Sequence, residues 1–522
     1  MKRILLQALA LMLISIPCFA QKGYKNPVIP GFYPDPSVCR VGDDYYLVTS
    51  TFHFFPGVPV FHSKDLVNWE QIGHCLTRES QLYLKNARPS DGIYAPTIRY
   101  NDGTFYMITT NVSNKGNFLV YTDDPRGEWS EPVWLKLGGI DPSLFFEDGK
   151  CYMTSNHGGR ISACEINPKT GEQLTETKSL WNGTGGRYPE APHIYKKDNY
   201  YYLLIAEGGT EYGHKVTIAR SRNIYGPYDS NPANPILTHI NMNEQGNPIQ
   251  GVGHADFIEA HDGSWWAVCL GFRPQSYMHH LLGRETFLAP VVWTKNAWPV
   301  VNGSGAVYLD MDCITLPQTA KKEKPTKTTF NTKQLGYEWN YLYNPEKEKY
   351  SLDENPGCLR IKTSTVGIDD YGATTFVGRR QQHIDCTVTT NVELKNCTGG
   401  EEAGLTVYMT NEYHYDIAVK QLEGNRQSVN LYYRLGNMGH IEKEVILNNT
   451  AKVYIQVRAD KDYYSFYYST DNSKFELLGK MDVRFISSET AGGFTGVYFG
   501  LYASSKEKSK GFADFEWFDY SF

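Results

Sequence analysis

Asp35, Asp141 and Glu190 occupy matching places in a phrase that the sequence repeats, and carboxylates placed that way can carry acid–base chemistry. The phrase begins at Asp35, Ala95, Asp141, Ala191 and Ala255, and in the first four copies the next residue is proline: Pro36, Pro96, Pro142 and Pro192. At each start, or one residue before it, lie Asp35, Tyr94, Asp141, Glu190 and His254. A single Asp before a proline is ordinarily a turn or cap residue. Three converging acids are another matter. Like charges crowded into a partly desolvated pocket oppose one another's ionisation and raise at least one pKa, so either a bound cation or a catalytic use is implied. Two of the acids could serve as general acid and general base, with the third tuning them. Nucleophilic-serine and zinc chemistry lack their residues, since no Gly-x-Ser-x-Gly elbow and no His-Glu-x-x-His pair is present; P-loop and EF-hand patterns are absent too.

The elements that must position these residues are legible in the same repeat. Three residues after each start comes an aliphatic residue, Val38, Ile98, Leu144, Ile194 and Ile258. Next come the turn pairs Gly42-Asp43, Asp102-Gly103, Asp148-Gly149, Asp198-Asn199 and Asp262-Gly263, each leading into an aromatic-rich strand such as Tyr45-Tyr46-Leu47-Val48. Such a pair between apolar runs predicts a β-hairpin, because primed turns match the twist of the flanking strands. Starts lie 46 to 64 residues apart, room for about four strands each, which predicts the blades of a five-bladed β-propeller. In that fold the innermost strand of every blade lines the axis, so repeat-equivalent residues meet in one funnel. Residues 21–316 are assigned to the propeller. Residues 317–330, rich in Lys, Thr and Pro, read as a linker. Beyond it, strands alternate as in Val453-Tyr454-Ile455-Gln456-Val457-Arg458-Ala459, which predicts an all-β sandwich over residues 331–522.

Residues 1–20 carry Lys2 and Arg3, then an apolar run from Ile4 to Ile16, and end Cys18-Phe19-Ala20, the pattern of a cleaved secretory signal. The expected location is secreted or periplasmic, with lipid attachment at Cys18 a weaker alternative because Pro17 precedes it. No later run approaches the roughly 20 apolar residues of a membrane span. Without the signal the formal charge of −6 becomes −8, which disfavours nucleic acid as a partner. The basic run Lys321 to Lys327 reads as a solvated connector. Ten cysteines, nine after cleavage, sit at irregular spacings without a zinc pattern, so zero or one disulfide is expected.

Gly31-Phe32-Tyr33-Pro34-Asp35-Pro36-Ser37, Gly139-Ile140-Asp141-Pro142-Ser143, Tyr188-Pro189-Glu190-Ala191-Pro192 and Leu282-Gly283-Arg284-Glu285-Thr286 resemble the motifs of glycoside hydrolase family 43, in its β-xylosidase and α-L-arabinofuranosidase branch. Trp339-Asn340-Tyr341, Phe376 to Gln381 and Ala403-Gly404-Leu405 resemble the concanavalin-like (jelly-roll) β-sandwich that accompanies the propeller there. The resemblance implies an inverting exo-hydrolase releasing terminal xylose or arabinofuranose from plant polysaccharide or oligosaccharide. Asp35 would be the base, Glu190 the acid, and Asp141 the residue that orients Glu190 and raises its pKa. Phe52 and Tyr94 would wall the terminal sugar, with Tyr94 standing where relatives usually carry Trp. Arg284 would bind the sugar's hydroxyls, and Phe494 would cap the pocket from the sandwich. His254 is implied to lie on the axis, either lining the pocket or at the place where some members hold calcium through water; no cofactor is otherwise required. The alternatives are a carbohydrate-binding propeller without catalysis, or a propeller glycosidase acting on another sugar.

Overall fold

A computed structural model describes residues 23–522 except 244, 312–314, 317, 321–324, 425 and 448–449. The signal reading at residues 1–20, including Cys18, lies outside the described residues. Five antiparallel sheets, of four strands each except the five-stranded fourth, follow one another in chain order, each begun by its own innermost strand: Ser37–Val41, Thr97–Asn101, Ile140–Glu147, Glu190–Lys197 and Gln250–Glu259. This is the five-bladed propeller, and the paired turns explain its hairpins. Asp102 and Gly103 have φ of 47° and 79°, Asp148 and Gly149 of 49° and 75°, the double positive φ of a two-residue hairpin turn. In the fifth blade Glu259 pairs with Trp265, so Asp262 and Gly263 sit in a longer connection than the repeat predicts. That loop is closed by Ala260 N–H donating to Ser264 O at 2.8 Å.

Sheet ends are joined at the ring closure by Tyr24–Lys25, which pairs with Asp310–Met311, while the Tyr24 hydroxyl and the Asn26 amide both donate to Leu288 O in the fifth blade. The eight described cysteines are free thiols, and all but Cys397 are buried. Among the described residues no helix is long and apolar enough to cross a membrane.

The C-terminal region forms two packed sheets around a core that includes Leu405, Ile417, Val429, Val457 and Phe466. Val453, Ile455, Val457 and Ala459 are buried and alternate with more exposed neighbours, as the period-two pattern requires. Lys327–Thr329 is already a strand of this region, paired with Trp517–Asp519. The two regions share structure. Phe54–Phe55, from the first blade, adds to the edge of a sandwich sheet by pairing with Tyr341 and Leu342. Phe54 also stacks on Tyr498, with ring centroids 4.0 Å apart and 15° between planes, a contact type worth about 0.5–1.5 kcal/mol beyond its buried area. Arg380 completes the seam, donating from Nε to Phe32 O at 2.7 Å and from Nη1 to Asn340 Oδ1 at 2.6 Å.

Candidate active site

The prolines of the repeat place the acids. Proline has no N–H for the ladder, so strand pairing slips around it. The register breaks between Ile140 and Ser143 in the third blade and between Glu190 and His193 in the fourth. Just ahead of Pro36, Pro142 and Pro192 the backbone takes a left-handed turn, with φ of 56° at Asp35, 53° at Asp141 and 51° at Ala191; His254 in the fifth blade has 46°. Non-glycine residues held in this region are strained, and such strain gathers at functional sites. Here it releases one residue in each of these four blades from ordinary strand alternation.

The structure brings the predicted residues together. Asp35 is buried, accepts from Ser50 Oγ at 2.5 Å and from Arg284 Nη1 at 2.7 Å, and lies 3.7 Å from His254 Nδ1. Burial opposes its ionisation, but the Arg284 guanidinium, His254 and the Ser50 hydroxyl outweigh that and hold its pKa below the usual carboxylate range. Asp141 is pushed well above that range by burial, then by the charges of Glu190 and Asp35, against the pull of the Ala191 N–H that donates to it at 3.2 Å. Glu190 is pushed up to about 7 by burial and by Asp35, opposed by Arg284. Repulsion between Asp141 and Glu190 is mutual, so the pair retains a proton more readily than either would alone. One acid is therefore poised ionised and its counterparts poised protonated around a shared space.

Aromatic rings wall that space. Phe52 stacks on Phe494 with centroids 5.8 Å apart, and Tyr94 lies 5.3 Å from Phe52 and 6.1 Å, edge on, from Phe494. Arg284 runs between them, its Cζ 5.6 Å from the Phe52 ring and 5.7 Å from that of Phe494. Phe494 comes from the sandwich region, and its N–H donates to Ser90 Oγ at 2.8 Å, while a side chain at neighbouring Gly493, φ 79°, would meet that same oxygen at 2.3 Å.

Arg284 has protein partners that the sequence did not point to. Besides Asp35 it donates to Thr210 Oγ1 at 3.0 Å and to Phe494 O at 3.3 Å, so it ties the acid, a fourth-blade loop and the sandwich loop together. Ser50, Ser90 and Thr210 were not singled out from sequence. Ser50 lies two residues before Phe52, and Gly208-Gly209 ahead of Thr210 was the available signal for a close-approach loop.

His254 lies beside Asp35, its imidazole kept neutral by burial. The surroundings do not suit a calcium ion, which takes six to eight oxygen ligands. The carboxylates that act on His254, Asp35 and Asp256, are already paired with Arg284 and Arg99, and no group of three or more His, Cys, Asp or Glu among the described residues is arranged to hold a metal. Exhaustive chelation should thus leave turnover within about twofold, checked by assay before and after EDTA with added calcium as control; a loss restored by calcium would overturn this.

Residues 24–299 match the model of glycosyl hydrolases family 43, and residues 327–521 match that of the beta xylosidase C-terminal concanavalin A-like domain. The chain is 41% identical to a non-reducing end alpha-L-arabinofuranosidase of Bacteroides ovatus, covering 99% of this chain and 98% of the relative. It is 38% identical to a xylosidase/arabinosidase of Butyrivibrio fibrisolvens, covering 94% and 98%, and 35% identical to a beta-xylosidase of Bacillus subtilis, covering 95% and 99%. Among solved structures, the Bacteroides ovatus xyloglucan-locus GH43B superposes with a TM-score of 0.92 at 40% identity, over 96% of this chain and 99% of that one. The xylan beta-1,4-xylosidase of Bacillus halodurans gives 0.91 at 34% identity, over 96% and 100%.

Proposed function

The chain belongs to glycoside hydrolase family 43, an exo-acting glycosidase by its relatives, and on that premise we propose that it releases terminal arabinofuranose or xylose with inversion at the anomeric carbon. Asp35 takes the proton of a water as that water attacks the anomeric carbon. Glu190 gives its proton to the glycosidic oxygen as the carbon–oxygen bond breaks. Asp141, through the Ala191 N–H next to Glu190, keeps the acid in place, and its repulsion keeps the pair protonated. For water to fit beneath the sugar, the base and acid should stand roughly 6.5–9.5 Å apart. Phe52, Tyr94 and Phe494 pack against the sugar ring, and Arg284 keeps Asp35 ionised while presenting its remaining donors to hydroxyls.

The observation that carries this reading is the split between one carboxylate held low and another pushed to about 7 in the same pocket. Arabinofuranose is placed first because the relative at 41% identity is named for it. We also read residues 1–20 as a secretory signal, which would bring the enzyme to polysaccharide outside the cytoplasm.

Proton NMR of the first-formed product from 4-nitrophenyl α-L-arabinofuranoside and β-D-xyloside should show the inverted anomer, ahead of mutarotation. A retained anomer would rule the scheme out. A panel of arabinan, arabinoxylan and xylo-oligosaccharides ranks the two sugars by kcat/KM.

A further inference from the structure

Two residues beyond Asp35, Ala95, Asp141, Ala191 and His254, of which all but Ala95 have left-handed backbone, stand Ser37, Thr97, Ser143, His193 and Asp256. All five are buried, none more than 3% exposed. They form a polar layer beneath the three carboxylates, one residue per blade, in a place where a propeller could have been packed with apolar side chains.

Arg99, two residues past Thr97 on the second blade's innermost strand, binds this layer together. Its Nη1 and Nη2 donate to the two oxygens of Asp256 at 2.8 and 3.1 Å. Nη1 also reaches Ser37 Oγ at 3.2 Å, and Nη2 reaches His193 Nδ1 at 3.0 Å. Asp256 takes further bonds from Ser37 Oγ at 2.6 Å and from Tyr195, on the fourth blade, at 2.6 Å. Ser143 of the third blade contacts the same His193 Nδ1 at 2.9 Å. One ion pair thus reaches four innermost strands directly and the remaining one through His193.

We propose that the Arg99–Asp256 pair and its ring of partners are positioning residues, which set the radial placement of the innermost strands and so the separation of Asp35 from Glu190. The strands it joins are those that carry the base, the third acid and the general acid two to three residues earlier. A shift of one strand by a fraction of an ångström moves one acid relative to the other; Tyr94 rides on the second blade's strand, whereas Phe494 is held by Ser90 and Arg284 by Thr210 and Phe494 O. The ring therefore governs turnover more than binding.

This rests on the assigned roles of Asp35 and Glu190, so the test runs beside Asp35→Asn and Glu190→Gln. A buried ion pair can often be replaced by apolar side chains with little loss of stability, whereas removing one partner strands a charge. The decisive variant is accordingly the double change Arg99→Met with Asp256→Leu. It should remain folded by circular dichroism, with kcat lowered about 10²-fold, KM within about threefold, and the alkaline limb of the pH–rate profile displaced, because misplacement of order one ångström has effects of that size. Tyr195→Phe and Ser143→Ala, each losing one hydroxyl, should show the same split at about two- to tenfold. If the double variant fails to fold, these two decide. Wild-type kcat and an unmoved pH profile in the folded variants would overturn the proposal, leaving the ring a purely structural clamp. Full activity in Asp35→Asn and Glu190→Gln would instead overturn the catalytic assignment beneath it.

Discussion

Replacing Asp35 by Asn should lower kcat by about 10³–10⁴-fold, near the upper end of what a positioned general base contributes, with KM changed far less. The amide preserves shape and can still accept from Ser50, but it cannot take a proton from water. It also leaves the Arg284 guanidinium, 6% exposed in its side chain, facing a neutral partner. Some loss of stability follows, because an uncompensated buried charge is costly, so circular dichroism and thermal melts must accompany the kinetics. Turnover within tenfold of the parent would remove Asp35 from the role of base.

Glu190→Gln should behave differently from one substrate to another. With an alkyl or sugar leaving group, which needs its oxygen protonated, kcat should fall by about 10³–10⁴-fold; with 4-nitrophenyl glycosides, whose phenolate departs unaided, the loss should be at least tenfold smaller. Equal losses on both would argue against Glu190 as the acid. In the parent enzyme the rate should decline as pH rises through about 7, where Glu190 surrenders its proton, and should hold at acidic pH until Asp35, with its lowered pKa, becomes protonated. The variant should lose the alkaline limb.

The same carboxyl carries a stability cost whose sign can be checked. Unfolded, a Glu titrates near 4.3; folded, Glu190 titrates near 7. The native state binds the proton more tightly, so its contribution is fully favourable below about pH 4.3 and is lost progressively as pH rises towards 7. Glu190→Gln should therefore melt higher than the parent at pH 8, with the difference closing near pH 4.

How much of this was readable in advance depends on how local the signal was. Each hairpin announced itself, because Asp-Gly and its analogues act over four residues, and the proline after Asp35, Asp141 and Ala191 marked the break in pairing that re-aims a side chain. Repetition then supplied the long-range geometry that single residues never carry. The family resemblance was needed for Arg284 and Phe494, which fall outside the repeat. Arg99 escaped notice because its partner Asp256 lies 157 residues away and the five ring positions hold four residue types, Ser, Thr, Ser, His and Asp, with no letter common to all. Ser90 and Thr210 act through single hydroxyls that composition does not distinguish. Phe54–Phe55 is only two residues long, too short for any periodicity to reveal that it crosses into the other sheet.

That short crossing has a consequence for engineering and for descent. An open sheet margin invites pairing with strangers, and here the margin is occupied by residues that belong to the first blade. Excised alone, the C-terminal module would present an unsatisfied, sticky selvage, and a propeller cut free would dangle an orphaned dipeptide beside Phe52. Shuffling either half onto another scaffold thus requires carrying the seam along, so the two halves are expected to have travelled as one heritable unit.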